Sequence, residues 1–143
     1  MDQIDITGII NLHREGALAR PSLKSALRAR YRAEERGLRI ELIAVLDCPD
    51  EATSTCVGAV GLGAIQVVDV TVDDLGEARN AGVEAAAGQW ITFLDGDDMW
   101  CENWLADAYA CAQARGTNVI LHPLANLYFG PSSAEFGLMN AAR

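Results

Sequence analysis

Apolar runs of strand length alternate along this chain with stretches that repeat their apolar residues at helical spacing, the order expected of a mainly parallel α/β sheet. The first run, Ile4 to Ile10, reads as a strand. Pro21 opens a helix that carries Leu23, Ala26, Leu27 and Tyr31 on one face, and Gly37 ends it. Arg39 to Leu46 is a second strand, Glu51 to Val57 a short helix, and Ile65 to Val70 a third strand. Asp74 and Glu77 have capping-box form and start a helix that runs through Ala87 to a stop at Gly88. A fourth strand follows over Gln89 to Leu94. Glu102 to Arg115 reads as a helix with Leu105, Ala108, Tyr109 and Ala112 on its face, and Gly116 ends it. Thr117 to His122 then reads as a strand closed by His122-Pro123, because the residue before proline is pushed to extended backbone. Here a structural histidine is the expectation. The segment from Pro131 is small and polar and is given no firm structure.

The fourth strand ends in a way that needs explaining. Phe93-Leu94 runs straight into Asp95-Gly96-Asp97-Asp98, and like charges at this spacing repel. In extended backbone Asp95 and Asp97 lean to the same side, and Gly96 lets the chain bend and a ligand approach. A cation at the strand's end resolves the repulsion, and hard carboxylate oxygens suit Mg²⁺ or Mn²⁺ with phosphates completing the shell. A solvated acidic turn capping the next helix is the competing explanation. The second strand also ends in an acid, Asp47, and ligands of open α/β sheets bind outside the carboxyl ends of the strands.

The wider context resembles a known family. Gly76-Glu77-Ala78-Arg79-Asn80-Ala81-Gly82 precedes Ala87-Gly88-Gln89-Trp90-Ile91-Thr92-Phe93-Leu94-Asp95-Gly96-Asp97-Asp98-Met99-Trp100. This order resembles the family 2 glycosyltransferases of the GT-A fold, whose pattern runs A-R-N-x-G, then A-x-G-x-[YW]-I-x-F-L-D-x-D-D. Glu41 to Asp47 matches the family's second strand and the acid that ends it, and the likeness covers roughly residues 4 to 122. It implies a Rossmann-like nucleotide-diphospho-sugar transferase fold with helices on both faces of the sheet, truncated after the donor half. It further implies that Asp95 and Asp97 form a D-x-D motif that holds the metal, with Asp97 the direct ligand and Asp95 assisting while it reaches the sugar or ribose side. By the same likeness Asp47 sits near the base, while Arg79 and Asn80 line the donor pocket or brace the acid loop. A salt bridge to a nearby acid is the structural alternative for Arg79.

Two loops depart from the family. Leu46-Asp47-Cys48-Pro49 stands where relatives carry paired acids and Gly-Ser, and Asn11-Leu12-His13-Arg14-Glu15 replaces their Pro-Thr-Tyr-Asn-Arg. Only 46 residues follow Asp97, so the expectation is a chain without the acceptor half and catalytic base that relatives carry beyond the acids, and no catalytic residue is assigned. The expected partition is a nucleotide-sugar-binding domain over residues 1–130 and a tail over 131–143. The expected activity is sugar transfer from a nucleotide-diphosphate sugar to an acceptor hydroxyl. The alternative is a noncatalytic nucleotide-sugar or metal-binding module. Gly58-Ala59-Val60-Gly61-Leu62-Gly63 spells a G-x-x-G-x-G, but it opens no helix after the first strand, so it reads as a tight loop. A dinucleotide oxidoreductase is therefore the weakest reading.

Composition narrows the partners. The 143 residues suit one compact domain, and 20 acids against 11 bases give a formal charge of −9. Such a balance argues against nucleic acid and anionic membrane as partners. No apolar stretch has transmembrane length, and the acidic start lacks the basic opening of a secretory signal. Cys48, Cys56, Cys101 and Cys111 form no C-x-x-C pair, which points to reduced thiols and a cytoplasmic setting without zinc. An uncovered edge near Leu127-Tyr128-Phe129 favours a homodimer.

Overall fold

The computed structural model describes residues 3–138. The chain falls into two compact units, residues 1–110 and 111–143.

In the first unit a four-stranded sheet has the order β3-β2-β1-β4, with every pairing parallel. Its strands are β1 (Ile6–Leu12), β2 (Ile40–Asp47), β3 (Gln66–Val70) and β4 (Trp90–Asp95). All seven β1 residues and all but one in β2 are buried, the near-continuous burial of strands covered on both faces. The outer strands are more exposed, with Ile91 and Phe93 of β4 open to solvent. The helices are α1 (Ala19–Glu35), α2 (Glu51–Gly61), α3 (Leu75–Ala85) and α4 (Trp104–Arg115).

Alternation along β1 sends its residues to two different layers. Ile6, Ile10 and Leu12 join Leu23 and Ala26 of α1, Val57 of α2 and Leu105 in one large cluster. Ile9 faces the other way, into a small cluster with Ile43, Val45 and Ala78 of α3. Helices thus lie on both faces, as the resemblance implies. Small residues let α1 approach the sheet closely. Ser22, Ser25, Ala26, Ala29 and Ala33 are buried on its inner side. Tyr31 is not: it is 61% exposed, because two i+4 steps from Leu23 rotate the direction by roughly 80°.

Several boundaries move. β1 sits two residues later than the apolar run suggests, although Ile4 and Asp5 still accept from the N–H groups of Gln89 and Trp90. α1 starts at Ala19 behind a 3-10 turn at Gly16–Leu18, so Pro21 lies inside the first helical turn, where its missing N–H costs nothing. α3 stops at Ala85, because the N–H groups of Ala87 and Gly88 turn to the side chains of Glu41 and Thr7. Gly88 is needed there for space: a Cβ would stand 2.4 Å from the Thr7 backbone nitrogen.

The larger correction concerns the glycine-rich segment. Gly58 to Gly61 is not a loop but the last turn of α2, with Cys56, Val57 and Gly61 packed inward; only Leu62 and Gly63 turn the chain. Asp50 caps this helix by accepting from the Thr53 N–H at 2.8 Å. Four of the six residues of the G-x-x-G-x-G are therefore the end of a helix, not a loop opening one, which is the wrong end to hold a phosphate.

The second unit departs from expectation too. Residues 117–122 form no strand, and His122 is exposed with Nδ1 3.0 Å from the Pro123 carbonyl. An apolar run becomes a strand only where a neighbour takes its backbone hydrogen bonds. Here a local hairpin does so instead, β5 (Ala125–Phe129) pairing antiparallel with β6 (Ala134–Leu138). The Gly130 N–H donates to the Ser133 carbonyl across its turn. β6 falls in the segment given no firm structure from sequence; residues 139–143 lie outside the described residues.

Candidate functional site

The strand order reverses between β1 and β4, since the chain adds β2 and β3 on one side of β1 and then returns to its other side. Crevices at such a switch are where open α/β sheets bind ligands. A cleft of about 380 Å³ opens here, along the carboxyl ends of β2, β1 and β4. Its rim carries six acids, Glu15, Asp47, Asp73, Asp74, Asp95 and Asp97, together with His13 and Asn11.

Asp95 is the last residue of β4, level with Asn11 of β1. Its Oδ1 accepts from Arg79 Nη2 at 2.8 Å, and the same guanidinium lies over the Phe93 ring at 5.6 Å. Arg79 is thus a brace on Asp95, the salt-bridge alternative, and it does not line the cleft. Asn80 is exposed on α3 and is not brought to the cleft either. Asp97 stands exposed at the rim.

The turn between the two acids is held from the α1 side. Ser22 Oγ donates to the Gly96 carbonyl at 2.7 Å, and Ser25 Oγ accepts from the Trp100 N–H at 3.1 Å. Gly96 is buried, and a Cβ on it would stand 2.5 Å from Leu12 Cδ2 and 2.8 Å from the Asn11 carbonyl. Close packing, not an unusual backbone angle, is what requires glycine at this point. Asp98 is pushed above the usual carboxylate range by partial burial and then by the charges of Asp97 and Asp95. The crowding of charge inferred from sequence is therefore real.

Asp47 closes β2 and is buried. Burial alone would raise its pKa, yet the net shift is downward, because the N–H groups of Val72 and Asp73 donate to Oδ1 at 2.9 and 3.0 Å. The Cys48 thiol and the Asp74 N–H add to this. The carboxylate thereby ties the β3–α3 loop to the end of β2. Cys48 sits at φ 47°, in the left-handed region where relatives' glycine would be at ease. His13 Nδ1 lies 2.5 Å from the Asp47 carbonyl, so that nitrogen carries the proton, and Nε2 faces Asp73 at 3.8 Å. His13, Glu15, Asp73 and Asp74 were given no role from sequence. The departure of the first loop from the family pattern was the available signal for the first two. The loop before α3 offered none beyond its cap.

The donor set suits a divalent cation. Among the described residues no three His, Cys, Asp or Glu side chains converge as a closed cage. Mg²⁺ and Mn²⁺ do not need one, being held by one or two carboxylates plus water and phosphate oxygens.

A parallel sheet with an acid-ended fourth strand at its switch point is the architecture that the resemblance to the GT-A fold implies. The profile described as "Glycosyl transferase family 2" matches residues 8–126, and the chain belongs to that family. It is 28% identical over 121 residues to the succinoglycan biosynthesis protein ExoO of Rhizobium meliloti (strain 1021), a match covering 84% of this chain and 33% of ExoO. The chain thus spans about a third of that relative's length. Among solved structures, TarS of S. aureus superposes with a TM-score of 0.64 at 22% identity, over 75% of this chain and 19% of TarS. The mannosyltransferase PcManGT from Pyrobaculum calidifontis, in complex with GDP-Man and Mn²⁺, gives 0.63 at 18% identity, over 75% of this chain and 32% of that one. These likenesses establish the GT-A fold. No described helix is long and apolar enough to cross a membrane.

Proposed function

We propose that this chain is the donor-binding domain of a family 2 glycosyltransferase, taking a nucleotide-diphosphate sugar with Mg²⁺ or Mn²⁺ for transfer to an acceptor hydroxyl. The acid rim at the switch of the sheet carries this reading. A diphosphate would be repelled from six carboxylates unless a cation entered with it. When bound, the cation neutralises the charge that develops on the leaving nucleoside diphosphate.

In this reading Asp97 holds the cation, since it is exposed at the rim and has no salt bridge among the described residues. Asp95, steadied by Arg79, assists the cation and reaches the sugar or ribose side. Asp47 shapes the base side through the loop that it ties down, and Asn80 lies further along α3 at the periphery. The donor-binding domain spans residues 1–130, with 131–143 as a tail. Leu127 and Tyr128 of β5 are exposed and give a homodimer its contact surface. All four cysteines are free, which fits the reducing cytoplasm.

One observation favours a second reading, a module that binds donor without transferring it. Most of the acids in the cleft are already engaged: Glu15 accepts from the His13 N–H, Asp47 from two loop N–H groups, Asp74 from Glu77 and Asp95 from Arg79. Of the six acids that leaves Asp73 and Asp97, and Asp97 is given to the cation, so little is left to serve as base for an acceptor hydroxyl. The test has two stages. Titration calorimetry with Mn²⁺ and UDP or GDP should show joint binding that Asp97→Ala abolishes; equal binding by the variant refutes the assignment. Acceptor-dependent transfer from a panel of nucleotide sugars then separates the two readings.

A further inference from the structure

Six of the chain's 11 bases, Arg20, Lys24, Arg28, Arg30, Arg32 and Arg36, lie on α1 and its C-cap. No acid stands between Glu15 and Glu34, in a chain that has 20 of them. The helix divides by how these bases are matched. Towards its end Arg30 pairs with Glu34 at 2.7 Å, Arg32 with Glu35 at 3.1 Å, and Arg36 with Asp107 at 2.8 Å. Arg20, Lys24 and Arg28 are exposed and form no ion pair among the described residues. They stand four apart, one turn above the next on the outer side, and Arg32 continues the row. Helix energetics oppose this arrangement. Like charges one turn apart destabilise a helix, and Arg20 lies in the first turn, where the macrodipole favours acids and none is present. Nothing within the described chain offsets this, so the row's complement lies outside it.

We propose that the outer side of α1 is a docking surface for an anionic lipid bilayer, whose phosphate headgroups meet Arg20, Lys24 and Arg28. Shape favours a plane over other polyanions. From Arg20 to Arg32 the row runs straight for about 18 Å along one convex helix. An acidic peptide would need a groove or a sheet edge to hold it, and no residue of α1 lines the cleft. A nucleic-acid-binding domain is basic as a whole, whereas this chain stands at −9. A face that adsorbs to a surface need be basic only where it touches, because charges further than about 8 Å are largely screened at physiological salt. The total charge therefore argues against a membrane only if the bases are dispersed, and they are not. Tyr31 adds a second feature. It is 61% exposed three residues beyond Arg28, on the same side, and its ring and hydroxyl suit the headgroup level. Leu23, Ala26, Ala29 and Ala33 stay buried in the core, so the helix lies on the surface without leaving the fold.

Sedimentation of the 143-residue chain with lipid vesicles tests this. It should bind vesicles of phosphatidylcholine mixed with phosphatidylglycerol, ignore pure phosphatidylcholine, and release as salt is raised. Arg20→Gln, Lys24→Gln and Arg28→Gln together should weaken binding about a hundredfold, each base near the surface contributing roughly fivefold. The melting temperature should not fall, since like charges are removed. Lys24→Gln alone, with a loss of about fivefold, carries the measurement if the triple variant does not fold. Arg36→Gln, at a base already paired, should change binding by less than about twofold. No binding to the anionic vesicles, or equal binding by the triple variant, overturns the proposal. So does tighter binding to duplex DNA or polyglutamate than to vesicles at the same salt, which would assign the row to another polyanion. The donor reading is decided separately by nucleotide titration, which the triple substitution should leave as in wild type.

Discussion

The two faces of the sheet are built differently. On the α1 side, Ile10, Leu12, Leu23, Leu42 and Leu105 are sealed in a continuous apolar layer of eighteen buried residues. On the α3 side only four buried apolar residues cluster, and beside them lie an unpaired asparagine, an arginine with a buried unpaired nitrogen, and a carboxylate in a salt bridge. The same strands serve both layers, since alternate residues of β1 and β4 point opposite ways. Cohesion comes from one face, and the polar chemistry that a ligand can use is concentrated on the other.

A paired substitution puts the most weight on this division. Leu23→Ala, in the thick layer, should cost about 2–5 kcal/mol of folding free energy, read from chemical denaturation. Arg79→Met, in the thin one, breaks an ion pair whose partners are each more than a third exposed, so about 0–1 kcal/mol is expected. Its nucleotide affinity should nevertheless fall. Comparable stability losses for the two would erase the distinction.

Ser22 crosses the division, because it sits on α1 yet holds the Gly96 carbonyl. Ser22→Ala leaves that buried carbonyl without its side-chain donor and should cost about 1–3 kcal/mol. Mn²⁺ affinity should drop with it, since the turn between Asp95 and Asp97 loses its support. A destabilised variant with native metal affinity would show the brace to be purely structural.

The smallest effect is in the pH response. Asp47 titrates lower in the folded chain than in the unfolded one, so its contribution to stability is fully present above the unfolded value of about 3.9 and is lost as pH falls through the lower folded value. Melting curves of wild type and Asp47→Asn should therefore differ at pH 7 and converge below about pH 4. A gap that persists in acid would mean that the loop is held by something other than the charge.

The order of strands and helices in the first unit was legible because each apolar run is bounded by a cap, a glycine or a proline. The block from Ala78 to Trp100 also carries enough ordered positions to identify the family. What the sequence concealed was mostly a matter of neighbours. Gly58 and Gly61 look like loop punctuation, yet α2 runs through them, with Gly61 packed inward near Ile65. Thr117 to His122 has strand composition but no strand partner, while β5 and β6 pair through a turn that apolar periodicity does not mark. Within the site, Asp47 and Asp95 were read to the correct end of the sheet. Arg79 could equally have lined the pocket, and only its distance to Asp95 places it as a brace. Asn11 was hidden because burial without a partner is a property of the assembled layer.

The most direct test is a nitrogen-15 NMR titration of the 143-residue chain with Mg²⁺ and UDP or GDP. Amide shifts should concentrate at Asn11 to Glu15, Asp47 to Cys48, Asp73 to Arg79 and Asp95 to Asp98. Residues Ala26 to Glu35 of α1 and the turn at Leu62-Gly63 should stay still. Shifts centred on that turn or on the outer side of α1, or none at saturating nucleotide, would contradict a donor site at the ends of the strands.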